Sequence, residues 1–215
     1  MSSSVPSNTA YKAALEILMY YINNSNIESA YALLKDQEVC IDMSNDIGMT
    51  PLHQAVKVNN LSMVNLLLEF GANPNLKTEW IVGGESPLMI AAANNYYDIG
   101  KLLLEFGADP TDENSQGIPC LHIACMNGSI DLALVMIAYG CDPNIKDKLG
   151  NNASYWAKRN GYDEFINYTG IKPDYLTPEK NKEFFDEVRR KYLLISDDEM
   201  KKMAKGKGKG KKKKK

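Results

Sequence analysis

Apolar residues along this chain come in short bursts divided by polar turns, and the bursts recur. Thr50-Pro51-Leu52-His53-Gln54-Ala55 returns as Ser86-Pro87-Leu88-Met89-Ile90-Ala91 and again as Pro119-Cys120-Leu121-His122-Ile123-Ala124. The first step is 36 residues and the second 33. A second block follows each copy at a fixed distance: Leu66-Leu67-Leu68-Glu69-Phe70-Gly71-Ala72, then Leu102-Leu103-Leu104-Glu105-Phe106-Gly107-Ala108, then Val135-Met136-Ile137-Ala138-Tyr139-Gly140-Cys141. Agreement in two separate blocks marks a true internal repeat.

Each unit predicts a helix, a turn, a second helix and an extended loop. Thr50 and Ser86 can cap a first helix with their hydroxyls, and Pro51 and Pro87 suit its first turn. Pro119 lacks that hydroxyl, so the third cap is weaker. Nine residues after each cap position stand Asn59, Asn95, Gly128 and Gly161, residue types that accept the left-handed backbone ending a helix. Ala55, Ala91, Ala92, Ala124 and Cys125 are small and allow neighbouring units to approach. The Leu-rich second helix stops at Gly71, Gly107 or Gly140. One such unit cannot bury its own apolar face, so the units must stack.

Thr-Pro-Leu-His-x-Ala at a 33-residue period, with the Gly-Ala-Asn/Asp-Pro block, resembles the ankyrin-repeat family. That resemblance implies an all-α solenoid of helix-turn-helix-loop units. Clear repeats are expected over 46–78, 79–113 and 114–146. Degenerate end units fall over 9–45, where Tyr11 to Asn23 and Ile27 to Lys35 read as helices, and over 147–170. Leu33-Leu34 then sit one period before Leu66-Leu67. Residues 1–8 read as a flexible N-terminus.

Charge changes the picture at the far end. The net charge is −2, but Lys201 to Lys215 hold ten of the 25 basic residues and no acid. The remaining 15 face all 27 acidic residues, giving an acidic body of net −12. Lys205–Lys215, alternating Lys-Gly and then pure lysine, predict a disordered cationic tail. It can contact polyanions such as acidic protein surfaces, nucleic-acid phosphates or anionic lipid. Between stack and tail, 171–204 predict a helical extension. Thr177-Pro178 opens a helix on which Phe184, Phe185, Val188 and Tyr192 share a face. That face either closes the stack or docks on a partner.

Little in the chain suggests catalysis. His53 and His122 both lie inside the repeat motif, where the resemblance implies a structural hydrogen-bonding role. Cys120 and Cys125 flank His122 without the paired spacing of a zinc site. Gly83-Gly84 lacks the Lys-Ser/Thr of a phosphate loop. Neither enzymatic activity, cofactor, metal nor small-molecule substrate is expected. No stretch approaches the length and apolarity of a membrane span. A cytoplasmic monomer, with nuclear or cytoskeletal location left open, is the expectation.

The resemblance implies binding of a protein partner on the concave side, built from loop tips and the exposed face of first helices. The tip positions are Ile47, Met49, Trp80, Ile81, Val82, Glu85, Ile118 and Leu149; the helix positions are Lys57, Met126 and Arg159. The 36-residue step inserts three residues in the Trp80 tip. Trp80 either anchors a partner or folds back to cover the gap. A scaffold or adaptor is the leading function. A cytoskeletal or microtubule-associated component, and a nucleic-acid-associated regulator using the tail, remain as alternatives.

Overall fold

The computed structural model describes residues 8–36 and 39–170. The expected helical extension over 171–204 and the lysine tail over 205–215 lie outside the described residues, as do 1–7 of the expected flexible terminus; Asn8 already opens the first helix.

Local chemistry sets each helix start. The Thr50 hydroxyl accepts from the N–H of His53, and the Ser86 hydroxyl accepts from that of Met89. Asn26, Asn60 and Asn152 cap three more helices through their side-chain oxygens. Pro119 offers no side-chain cap, as its structure requires. The turn residues Ser25, Asn59, Asn95, Gly128 and Gly161 all take positive φ, from 53° to 82°. This left-handed step reverses the chain between the two helices of a unit.

Among the described residues five helix-turn-helix pairs result: α1 (Asn8–Asn23) with α2 (Ile27–Lys35), α3 (Pro51–Lys57) with α4 (Leu61–Glu69), α5 (Pro87–Ala93) with α6 (Tyr97–Glu105), α7 (Cys120–Met126) with α8 (Ile130–Ala138), and α9 (Ala153–Arg159) with α10 (Asp163–Thr169). First helices contact first helices along the chain, and second helices contact second helices. Ala55, Ala91, Ala92, Ala124, Cys125 and Ala157 are buried on the first helices, so these sit close together. The first-helix row is the more closely packed of the two. Leucine and isoleucine fill the space between rows, with Leu67, Leu103, Leu132 and Met136 among those wholly buried. Isolated bridges Glu113–Pro119 and Lys146–Asn152 pinch the bases of two loop tips.

The first unit departs from the sequence-based register. Its turn residue Ser25 and cap Asn26 match Asn59 and Asn60, a step of 34 rather than 33. Leu33-Leu34 therefore correspond to Leu67-Leu68, not to Leu66-Leu67. Helix α1 is also 16 residues long against seven for the other first helices. Its extra turns lie where later units carry a loop tip.

Candidate partner-binding face

The loop tips are built by one device. Asn45 Oδ1 accepts from the N–H groups of Ile47 (3.2 Å) and Met49 (3.0 Å). Asn114 does the same for Gln116 and Ile118, both at 3.0 Å. Asp147 does so for Leu149 and Asn151, both at 2.9 Å. In the second tip Thr78 holds this place, and its hydroxyl accepts from Glu85 N–H at 2.9 Å. The reach is seven residues instead of four, which accounts for the three-residue insertion. The inserted residues form a single 3-10 turn, Trp80–Val82.

Successive tips abut. Glu79 N–H donates to the Ile47 carbonyl at 3.0 Å, and Ser115 N–H donates to that of Gly83 at 2.9 Å. A Cβ on Gly48 would stand 2.5 Å from the Glu79 nitrogen, and one on Gly84 would stand 3.0 Å from that of Ser115. Lys77 crosses the same junction, with its ammonium 2.9 Å from Asp112 and 2.9 Å from the Glu113 carbonyl.

The histidines brace this ladder. His53 Nε2–H donates to the Glu85 carbonyl at 3.1 Å, and Nδ1 accepts from the Thr50 hydroxyl at 2.8 Å. His122 Nε2–H donates to the Asn151 carbonyl at 2.9 Å. Pro119 can give His122 Nδ1 neither hydroxyl nor N–H, and that buried nitrogen has no partner among the described residues. Burial lowers the pKa of both histidines, against the opposing pull of their backbone acceptors. Burial likewise raises the Cys120 and Cys125 thiols and pushes Cys141 up to about 12. These thiols stay protonated and are poor nucleophiles. Among the described residues, no group of three or more His, Cys, Asp or Glu could hold a metal ion, and no helix is long and apolar enough to cross a membrane. Asp147 loses some solvation, but bonds from Asn151 N–H, Trp156 Nε1–H and Leu149 N–H outweigh that and hold its carboxyl below the ordinary value.

The candidate residues fall into two rows. Trp80 and Ile81 project into solvent, 76% and 84% exposed, with Val82 and Ile47 also exposed beside them. Trp80 therefore does not fold back to cover a gap. Leu149, at 78%, stands two tips farther along. Met49, Glu85 and Ile118 are half-buried, and Ile118 is packed against the core. Lys57, Met126 and Arg159 form the second row, at the far ends of α3, α7 and α9, about 10 Å from the tips at 1.5 Å per helical residue. Lys57 and Arg159 are exposed, Met126 half-buried. Arg159 lies over the Trp156 ring, 5.3 Å from its centroid.

One part of the face was missed from sequence. A cleft of about 690 Å³ separates α1 from the first tip, with Lys12, Glu16, Tyr20, Met43 and Asp46 among its walls. Lys12 and Asp46 approach to 3.6 Å across it. The end unit carries no Thr-Pro-Leu-His signature, so only the length of its first apolar stretch pointed there.

The ankyrin-repeat family model, in three copies, matches residues 6–78 and 88–169, more than half of the chain. The chain belongs to the ankyrin-repeat family. It is also similar to ANK repeat-containing protein nipk-1 of Caenorhabditis elegans, 44% identical over 52 residues. That match spans 24% of this chain and 8% of the relative. Ankyrin repeats generally mediate protein–protein interaction and are typically non-enzymatic modules.

Proposed function

We propose that this ankyrin-repeat protein is a cytoplasmic scaffold that holds a protein partner on its inner, tip-bearing side. The carrying observation is the Trp80-Ile81-Val82 turn, whose apolar side chains stand in solvent beside Ile47. Large apolar groups held out on a rigid ladder cost solvation in the free protein and repay it on docking. Tryptophan is also among the residues most enriched at binding hot spots. The cleft beside α1 extends the surface, and Lys57 and Arg159 supply positive charge at the other ends of the first helices. The lysines of 205–215 add affinity for an acidic patch on the same partner.

Pull-downs from native extract with the full chain, with Trp80→Ala/Ile81→Ala and with a chain ending at residue 200 test this. Proteins held by the full chain should be lost from the tip variant and only weakened by tail removal. Loss of about tenfold or more in affinity fits a hot spot. The variant's unfolding midpoint should stay within about 0.5 kcal/mol of the parent, because the side chains touch little. An unchanged set of captured proteins would sink the proposal.

A further inference from the structure

Every junction in the stack but the last shows what the next unit contributes. A Cβ on Gly117 would meet the Lys148 side chain at 2.1 Å, and one on Gly128 would meet the Tyr162 ring at 2.6 Å. His122 reaches the Asn151 carbonyl, and Asn160 Nδ2–H donates to that of Met126 at 2.9 Å. One period later the corresponding positions are Gly150, Gly161, Tyr155 and Arg159. Among the described residues nothing lies within 4 Å of a Cβ on Gly150 or Gly161. Tyr155 is 46% exposed, its ring edge-on to Trp156 at 5.3 Å, and Tyr168 of α10 is 52% exposed. The stack ends in an aromatic face fringed by the exposed cations Lys158 and Arg159.

We infer that this end face is the seat of the chain's own segment 177–193, which docks against α9 and α10. The described chain leaves the stack at Gly170, on this last unit, with residues 171–215 still to come. The connector 171–176 spans up to about 20 Å when extended, ample to turn back over helices that pack about 8–10 Å apart. The segment's stripe of Phe184, Val188 and Tyr192, broadened by Phe185, matches an aromatic face in character. Glu179, Glu183 and Glu187 recur every four residues along its flank and complement Lys158 and Arg159. Seated this way, the segment also fixes where the lysine tail emerges, at the α9–α10 end of the stack.

The test uses the full chain with Cys40→Ser, which removes the exposed thiol. Arg159→Cys is combined in turn with Glu183→Cys and with Glu187→Cys, all at sites where substitution leaves the repeat core untouched. Under mild oxidation at least one pair should close within the chain, to an extent independent of protein concentration, because a disulfide needs Cα atoms within about 7 Å. In parallel, Trp80→Phe leaves Trp156 as the sole tryptophan. Phe184→Ser/Val188→Ser in that background should raise acrylamide quenching of Trp156 about threefold and speed amide exchange over 153–169 about tenfold, while exchange over 87–138 holds. Failure of both cysteine pairs, or bonds only between chains, overturns the inference. So does unchanged Trp156 quenching and exchange in the serine variant.

Discussion

The two histidine stations of the stack share an acceptor geometry and differ in what stands three residues before them. At the first, Thr50 gives His53 a hydroxyl donor at 2.8 Å, and the ring also braces Glu85 in the next tip. At the second, Pro119 leaves the Nδ1 of His122 buried and without a partner among the described residues, while its Nε2 still braces Asn151. Between them Met89 replaces histidine altogether and is buried as an apolar side chain. The ladder therefore tolerates full, absent and half polar bracing in succession. Packing of the small first-helix residues keeps the repeat in register, and the histidine network adds local stability on top.

The largest expected effect separates the stations directly. His53→Ala removes both a cap partner and a cross-unit bond, and should cost about 2–3 kcal/mol in urea unfolding. His122→Ala removes one bond and relieves an unpaired buried nitrogen, so about 1–2 kcal/mol is expected. Equal losses at the two sites would break the comparison. Next comes repair: Pro119→Thr restores a cap and a donor for His122, and should stabilise by about 1 kcal/mol. A null result there would mean the α7 start does not accept the Thr50 geometry.

Smallest is the response to pH. Both histidines have folded pKa values depressed from 6.5 by burial. The unfolded chain therefore takes up protons first as pH falls. Stability contributed by the neutral rings is complete above pH 6.5 and is lost as pH drops through that value toward the folded pKa values. Urea midpoints measured from pH 7.5 to 5 should fall in the parent chain and fall less steeply in His53→Ala/His122→Ala. Equal slopes would place the acid sensitivity elsewhere.

Much of this is legible in the sequence. The repeated blocks located α3 to α8, Gly161 at the repeat spacing marked the degenerate last unit, and Pro119 announced a weakened cap. Other features left no local mark. The tip organisers Asn45, Asn114 and Asp147 are ordinary loop residues in sequence, and Thr78 stands in for them only because the chain closes over three inserted residues. The first unit's 34-residue step was hidden because its loop lacks the Gly-Ala-Asn/Asp-Pro block that sets the phase elsewhere.

The sequence alone determined the repeat, its helices and their turns, since capping, left-handed turn residues and helical apolar spacing are local properties of neighbouring residues. Only the tertiary structure decided which apolar tip residues are available. Ile118 and Trp80 look alike as exposed-loop apolars, yet one is packed against the core and the other stands in solvent. Trp80 stands on the inserted 3-10 turn, whereas Ile118 is held by Asn114 at the base of its tip and rests on a core assembled from residues of several units, a long-range arrangement that no local pattern encodes.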